Sequence, residues 1–408
     1  MAELALRGGP EAASTLDVPE WPQHTVESIE NVVDCLESNA WCRVSEDAKW
    51  VDQFEDRYAE YHDADHAIAV ANGTVAIELA LKMCDVRPGD EVLVPPYTFI
   101  ATASAVTSVG AVPRFVDVDP KTYNVDPESV AERVTDDTVG LVGVHFAGYP
   151  MDFDELLPVV DEHDLFLIED AAHAQGTEWN GEKVGTVGDV GTFSFQESKA
   201  LPGGEGGIVV TDDDVRAEQG HLLHNIGRQG GEAYRHYALS SNKRLSEVQG
   251  ALLCAQLEKL TEENERRRRN HDRLVKGLSA IDGIETKPAD DRITARGFCL
   301  FNFRYREAAF DGLSKERFIE ALNAEGVPVS EGYGRPLYRQ PAFSREHVES
   351  HVPRSVDVPA YNNLSLPGVQ EVTRTNVTLP HEVLLADSDG IDAIPRAIEK
   401  IKDQVDRL

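Results

Sequence analysis

The sequence predicts an α/β protein with a large, mostly parallel sheet and a smaller C-terminal α+β domain. From residue 66 onward, short apolar strands alternate with segments of helical periodicity, a pattern typical of a parallel sheet with helices on both faces. The chain has 408 residues, enough for two or three domains. Hydrophobic residues make up 41% and charged residues 27%, a balance typical of globular rather than disordered chains.

The predicted elements of the large domain follow one another with short connections. The turn ANGT separates a first strand from a helix whose small and apolar residues recur at i, i+3, i+4 and i+7. VGTFSFQ and GGIVVTD predict two late strands on either side of a glycine-rich loop. The other predicted elements are strands at 66–70, 91–95, 113–119, 138–146 and 165–170 and helices at 75–83, 99–110 and 153–163.

A long helix beginning near Ser246 leads into the second domain. We place the boundary near residue 262, so that 1–262 holds an N-terminal segment and the large domain and 263–408 forms the small domain. In the latter, FCLFNFRY predicts a strand and KERFIEALNAEG a helix, and IDAIPRAIEKIKDQV the last helix. The run Arg266 to Arg269, beside several glutamates, predicts a solvent-exposed helix face.

The charge of the chain excludes some partners and points to a cellular environment. The formal net charge is −33, which should repel nucleic acid and anionic membranes. Abundant carboxylates with only 12 lysines among 39 basic residues indicate salt adaptation rather than ordinary acidity. No apolar run is long enough to span a membrane and no signal peptide is recognisable, so we predict a cytoplasmic protein. The 13 histidines and five cysteines lack metal-ligand spacing, and we predict no catalytic metal.

Asn72-Gly73-Thr74, between a predicted strand and helix, is the first motif with chemical potential. The first turn of a helix offers unpaired amides and a partial positive charge, which together bind phosphate. Glycine would let the backbone approach a ligand closely. Taken alone, an asparagine or threonine before a helix is usually only an N-cap.

Two further motifs complete a possible cofactor site. Asp170 ends the apolar strand in IEDAAH and would lie at the carboxyl edge of the sheet, where such sheets bind ligands, although an N-cap explains it as well. Lys199 lies in SFQESKALPGGEGG, where a lysine held in an apolar pocket could attack a carbonyl, and the alternative is a surface lysine on a loop. Together, a phosphate site, an acidic partner for a ring nitrogen and a reactive lysine are the parts that pyridoxal 5'-phosphate needs.

These and other segments resemble the DegT/StrS family of pyridoxal-phosphate-dependent sugar aminotransferases. The resemblance covers nearly the whole chain, and it is carried by NGTVAIELAL, VPPYTFIATASAV, EDAAHAQG, GTFSFQESKALPGGEGG, NKRLSEVQGALLCAQLEKL and GRPLYRQPAF. It implies the aspartate aminotransferase fold, fold type I of the pyridoxal-phosphate-dependent transferases. The GGP…WP opening, SFQESK and PLYRQPAF are similar to the branch that acts on keto-inositols and related cyclitols.

The resemblance implies roles for three residues at the reacting part of the cofactor. Lys199 would bind the cofactor covalently and then move a proton between the substrate carbon and the cofactor. Asp170 would pair with the pyridine nitrogen. His173, where the family often has glutamine or histidine, would lie near the phenolic oxygen.

Other matched residues would bind the phosphate and the ring face. The backbone of Gly73 and Thr74 and the hydroxyl of Ser194 would bind the phosphate. Phe99 matches the aromatic residue that stacks on the ring, with Tyr97 as the alternative.

The resemblance also implies a homodimer with shared active sites. Asn242 lies in a segment that, in this family, reaches across the dimer interface to the partner's phosphate, although Lys243 here replaces a common aromatic residue. Tyr333, Tyr338 and Arg339 would border the substrate, with exposed loop residues as the equal alternative.

The predicted function is therefore transamination. The enzyme would take an amino group from L-glutamate or L-glutamine and deliver it to a nucleotide-linked keto-sugar or a keto-cyclitol, in sugar, polysaccharide or antibiotic biosynthesis. Lys199 favours transamination over the dehydratase branch, which has histidine at this position. The alternatives are another pyridoxal-phosphate-dependent reaction on a sugar, or a non-catalytic regulator that keeps the fold.

Overall fold

A twisted sheet of seven strands forms the centre of the large domain in the computed structural model, which describes residues 3–229 and 234–408. The strand order is β1-β9-β8-β5-β4-β2-β3. Only β9 runs against the others, since its pairings with β1 and β8 are antiparallel and the remaining pairings are parallel. The predicted α/β class with a mostly parallel sheet is confirmed. The strands of this sheet are β1 (His66–Val70), β2 (Glu91–Val94), β3 (Val112–Phe115), β4 (Thr138–Val144), β5 (Phe166–Asp170), β8 (Val190–Ser194) and β9 (Gly207–Thr211).

Alternation along the strands divides the core into two layers. Ile68 and Val70 belong to the hydrophobic cluster on one face of the sheet, whereas Ala67 and Ala69 belong to the cluster on the other. Successive side chains of a strand point to opposite faces, so apolar residues at every position require helices on both. The helices up to the end of the large sheet are α1 (Val26–Ser38), α2 (Trp50–His62), α3 (Gly73–Met83), α4 (Ala101–Ser108), α5 (Pro127–Arg133), α6 (Phe153–Glu162) and α7 (Asp214–His224).

The C-terminal part combines a three-stranded antiparallel sheet with helices. That sheet has the order β10-β12-β13, and a second small sheet has the order β11-β6-β7. The helices here are α8 (Glu247–Leu278), α9 (Lys315–Ala324), α10 (Arg345–Glu349), α11 (Pro367–Thr375) and α12 (Ser388–Lys402). The strands of the two small sheets are β6 (Glu178–Trp179), β7 (Glu182–Lys183), β10 (Ile284–Thr286), β11 (Ile293–Ala295), β12 (Leu300–Tyr305) and β13 (Asn376–Pro380).

The packing of the chain ends crosses the predicted division at residue 262, which lies within α8. Leu4 and Ala13 belong to the hydrophobic cluster formed mainly by residues 274–401. Tyr361 and Val369, in contrast, pack with the strands of the large sheet. These contacts join the two regions, and the division itself stays a prediction.

Several element boundaries differ from the sequence prediction, and two of these differences bear on the packing and on the site. The strand predicted over 113–119 ends at Phe115, because Asp117 leaves the sheet and its carboxylate accepts the amides of Gly368 and Val369 at the start of α11. The helix predicted from residue 99 begins at Ala101, which leaves Phe99 in the preceding turn.

Across residues 3–229 and 234–408, no helix is both long and apolar enough to cross a membrane.

Candidate active site

A cavity of about 670 Å³ opens at the carboxyl edge of the large sheet. All of the predicted site residues except Asn242 line it: Gly73, Thr74, Phe99, Asp170, His173, Ser194 and Lys199. The chain segments that follow β1, β2, β5 and β8 meet here, because parallel strands end at the same edge of a sheet. The topology therefore assembles residues that lie more than 120 positions apart in the chain (199 − 73 = 126).

The N-terminus of α3 forms one end of the cavity. The side chain of Asn72 caps the helix by accepting the amide of Val75 at 2.9 Å. The amides of Gly73 and Thr74, also in the first turn, lie at the cavity, as a phosphate-binding site requires. A Cβ atom on Gly73 would lie 2.7 Å from Cβ of Ser194, so only glycine lets the helix approach the end of β8 so closely.

Asp170 is buried at the end of β5 and its carboxylate has two hydrogen-bond donors. Thr102 donates to Oδ2 at 2.8 Å, and the amide of Ala172 donates to Oδ1 at 3.3 Å. Burial raises the pKa of Asp170 above its ordinary value, against the effect of these two hydrogen bonds. A protonated ring nitrogen beside this carboxylate would compensate for its burial. Sequence reasoning missed Thr102, because nothing in the order of residues indicates that the start of α4 lies beside the end of β5.

His173 lies beside Asp170 on the wall of the cavity as a neutral ring. Burial, helped by the positive charges of Lys199 and Lys287, lowers the pKa of His173 well below its ordinary value. The amide of Ala147 donates to Nδ1 at 3.3 Å, so the proton of the neutral imidazole is on Nε2. His173 is thus a hydrogen-bond donor that carries no charge.

Lys199 follows β8 in a tight turn and its amino group faces the cavity. Its backbone amide donates to the carbonyl of Gln196 at 2.8 Å, and Nζ lies 3.9 Å from Sγ of Cys299. Within the described ranges, no carboxylate lies at ion-pair distance from Nζ. An amine without a salt bridge is available for reaction with an electrophile.

Aromatic residues surround the mouth of the cavity. Phe99 lines it with 56% of its surface exposed, a high value for phenylalanine. Tyr97 is buried instead and packs against the rings of Tyr123 and Phe146. Tyr333, which the sequence indicated only weakly, also lines the cavity.

Two other residues indicated near the substrate lie elsewhere. Tyr338 is buried against Phe115, with ring centroids 6.0 Å apart. Arg339 donates to the carbonyl of Asn362 at 2.8 Å. Neither residue lines the cavity. Thr192 does, as do Gln196 and Glu205 of the motif around Lys199, although the sequence assigned none of these three a role.

Asn242 is exposed and lies outside this cavity. It forms an isolated β-bridge with Asn225, and its Oδ1 accepts the amide of Arg244 at 3.3 Å. The adjacent Lys243 is buried and pairs with Glu78 on α3 at 3.0 Å. Lys243 therefore anchors this segment to the helix that begins at the cavity.

In the part of the chain that the structure describes, no group of three or more histidine, cysteine, aspartate or glutamate side chains is placed to hold a metal ion.

Comparison with solved structures defines the class of protein. The chain is similar to 3-amino-5-hydroxybenzoic acid synthase, with a TM-score of 0.85 and 35% identity over 97% of this chain and 100% of that one. It is also similar to DesI, solved in the presence of its TDP-sugar product, with a TM-score of 0.80 and 30% identity over 99% of this chain and 96% of that one. Fold and cavity are thus those of a pyridoxal-phosphate-dependent aminotransferase, which confirms the predicted cofactor and class.

The family follows from the sequence comparison. The model of the DegT/DnrJ/EryC1/StrS aminotransferase family matches residues 22–379, and the chain belongs to this family. Among its relatives is an L-glutamine:scyllo-inosose aminotransferase from Streptomyces griseus, 35% identical over 99% of this chain and 98% of the relative.

The residues of the cavity fit the cofactor. The close approach of Gly73 to Ser194 brings the first turn of α3 to the cavity, and the buried Asp170 supplies a negative charge there. Lys199 supplies an amino group that has no carboxylate partner among the described residues. These are the three groups that a phosphorylated pyridine aldehyde requires.

Proposed function

We propose that this chain transfers an amino group from L-glutamine or L-glutamate to the ketone of a keto-cyclitol, with a nucleotide-linked keto-sugar as the second candidate. The relative that acts on scyllo-inosose supports the first candidate, and the relative with a TDP-sugar product supports the second. Both half-reactions use one cavity, so ping-pong kinetics are expected.

The charge of the cavity favours the cyclitol. Among the lining residues that the structure describes, Lys199 is the only lysine or arginine, and Glu205 adds a negative charge. A nucleotide-linked sugar carries a diphosphate, which binds best to arginine, lysine or several free amides. A keto-cyclitol carries no charge and needs only hydroxyl partners, such as Gln196, Ser198 and Tyr333.

We propose that the cofactor, when bound, acts as the electron sink, and that the residues of the chain divide the remaining work. Lys199 holds the aldehyde carbon and moves the proton at the substrate carbon. Asp170 keeps the ring nitrogen protonated, and the neutral His173 donates from Nε2 to the phenolic oxygen.

We also propose which residues bind the phosphate group and the ring face of the cofactor. Gly73 and Thr74 amides and the Ser194 hydroxyl bind the phosphate. Phe99 covers the face of the ring.

A competition between the two acceptor classes tests the proposed function. The protein is loaded with pyridoxamine 5'-phosphate and mixed with scyllo-inosose or with a TDP-linked keto-sugar, and the return of visible absorbance is followed. We expect the cyclitol to react about 100-fold faster, a ratio within the range that pocket contacts supply. A faster reaction of the TDP-sugar would select the second candidate, and no reaction of either would contradict both. The Lys199→Ala variant is the control.

We also propose that the active form is a cytoplasmic homodimer with shared sites. An apolar stripe on α1 supports an interface, because Val26, Ile29, Val33 and Leu36 are all exposed at helical spacing. Exposed apolar stripes of this kind are characteristic of surfaces between proteins. Asn242 is exposed on its own segment and is available to a partner's site.

Mixing two inactive variants tests the shared site. Asn242→Ala and Lys199→Ala are each expected to be defective, but a mixed dimer has one site with both residues intact. After subunit exchange, we expect about a quarter of wild-type activity, since about half of the dimers are mixed and each has one good site of two. The control is Lys199→Ala mixed with Asp170→Asn, two residues of one cavity, which should recover nothing. Equal recovery in both mixtures, or none in either, would reject the role of Asn242.

Salt adaptation is a further proposal, supported by the net charge of −33. The screening distance shortens from about 30 Å at 0.01 M salt to about 3 Å at 1 M, which weakens repulsion among surface carboxylates. We therefore expect the melting temperature to rise steadily with KCl over this range. Sucrose in place of KCl controls for non-ionic stabilisation, and a melting temperature that does not change with KCl would refute the proposal.

A further inference from the structure

A buried polar cluster lies behind Lys199 and draws its residues from three distant parts of the chain. We define it as Trp21, Arg267 and His381. The rings of Trp21 and His381 meet edge to face at 4.8 Å, and the guanidinium of Arg267 lies 5.3 Å from the Trp21 ring. His381 contacts the loop of the reactive lysine directly, because its Nε2 lies 3.2 Å from the carbonyl oxygen of Ser198.

Arg267 is the unexpected member of the buried polar cluster. The sequence predicted that the run Arg266 to Arg269 is solvated, and this is wrong for Arg267, whose side chain is fully buried. It pairs with Glu263 at 3.0 Å and donates to Asn264 at 3.3 Å. A buried guanidinium costs free energy even when it is paired, so its position calls for an explanation beyond packing.

The neutral ring of His381 carries one N–H proton, and its contacts show which nitrogen holds it. Burial, together with the charge of Arg267, lowers the pKa of His381 well below its ordinary value, so the ring is neutral. Within the described residues its Nδ1 has no hydrogen-bond partner, whereas Nε2 faces the Ser198 carbonyl. The proton is therefore on Nε2, and His381 donates to the peptide that joins Ser198 to Lys199.

This hydrogen bond differs from those within the lysine turn. The turn is closed by local contacts, from the Lys199 amide to the Gln196 carbonyl and from the Ser198 hydroxyl to Gln196 Oε1 at 2.6 Å. His381, in contrast, lies 183 positions after Ser198, on the segment that follows β13. His381 thus fixes the lysine turn relative to the C-terminal part of the molecule. That part also carries Cys299, which lies beside the amino group of Lys199.

We propose that His381 is a positioning residue for Lys199, holding the 198–199 peptide so that the amino group meets the cofactor aldehyde. The inference rests on the proposed role of Lys199. Trp21 and Arg267 contribute by confining the His381 ring and keeping it neutral. Loss of the donor should slow formation of the covalent bond while leaving the phosphate end of the cavity unchanged.

Reconstitution of the full-length protein after removal of its cofactor separates these effects. His381→Phe keeps the ring contact with Trp21 but lacks the donor, and His381→Gln places an amide donor near Nε2. We measure the rate at which visible absorbance appears on adding pyridoxal 5'-phosphate, and the affinity for pyridoxine 5'-phosphate, which lacks the aldehyde. His62→Phe is the matched control, because His62 is also a buried histidine packed against aromatic rings.

We expect His381→Phe to slow bond formation about tenfold, the effect of losing one hydrogen bond and the position it fixes. Affinity for pyridoxine 5'-phosphate should stay within about twofold of wild type, since one lost contact outside the phosphate site leaves it intact. His381→Gln should recover most of the rate, and His62→Phe should retain it.

Three outcomes would overturn the inference. They are a wild-type rate in His381→Phe, a parallel loss of pyridoxine 5'-phosphate affinity, and a His381→Gln rate no better than that of His381→Phe. If His381→Phe does not fold, His381→Asn replaces it, because its amide lies near the position of Nδ1 and faces away from Ser198. Borohydride reduction and peptide mapping of the wild type keep the two proposals apart, since a label away from Lys199 would reject the proposed function instead.

Discussion

Lys199→Ala is expected to abolish transamination while the protein stays folded. Proton transfer by a positioned side chain contributes about 10² to 10⁴ in rate, so we expect turnover to fall by at least about 10⁴-fold when the covalent contact is lost as well. The side chain lies at a cavity rather than in the hydrophobic core, so the melting temperature should change little. Turnover, visible absorbance of the bound cofactor and thermal melts measure these effects.

The control for this variant is Lys121→Ala, which removes an exposed lysine that does not line the cavity. It should keep wild-type turnover and absorbance. Borohydride reduction of the wild type followed by peptide mapping should place the label on Lys199. A label on another lysine, or turnover retained in Lys199→Ala, would show that a different amine reacts.

Asp170→Asn should reduce turnover by about 1,000-fold while the cofactor still binds. An uncharged amide cannot hold the ring nitrogen protonated, so the ring becomes a poorer electron sink, and electrostatic contacts of this kind contribute about 10² to 10³ in rate. The fold should persist, because the asparagine oxygen can accept the amide of Ala172 while its NH2 group donates to the hydroxyl of Thr102, which can also act as an acceptor. Turnover, cofactor affinity and the melting temperature are the measurements.

The neighbouring Glu169 supplies a matched control for Asp170. It is also a buried carboxylate on β5, but it accepts the amides of Gly185 at 2.6 Å and Val187 at 2.8 Å and pairs with His145. Glu169→Gln should therefore lower the melting temperature and affect turnover far less. If Asp170→Asn kept near-normal turnover, Asp170 would be only a structural acceptor at the end of its strand.

Supporting residues should show smaller effects of the same kind. Thr102→Val removes one of the two donors to Asp170, and a hydrogen bond to a charged group contributes about 1.5 to 3 kcal/mol. We therefore expect Thr102→Val to reduce turnover less than Asp170→Asn does. The hydrogen bond from Thr102 to Asp170 could be recognised only in the folded structure, because α4 and β5 are adjacent in space but not in sequence.

The sequence alone determined those features that depend on local chemistry. The alternation of strands and helices predicted the α/β class and the mostly parallel sheet, because periodicity is a property of consecutive residues. Asn72 was recognisable as the residue before a helix, and Asp170 as the end of an apolar strand. Parallel strands share an edge, so the meeting of Asp170 with Gly73 followed from the topology.

The tertiary structure decided which side chains that are distant in sequence share one environment. Charge and spacing predicted a solvated Arg267, but the packing of α8 against the N-terminal segment and the residues after β13 buries it beside Trp21. His381 carries no local signal, and its hydrogen bond to Ser198 exists only because β13 ends behind the lysine turn. Burial and long-range contacts depend on the arrangement of the whole chain, so they cannot be predicted from neighbouring residues in the sequence.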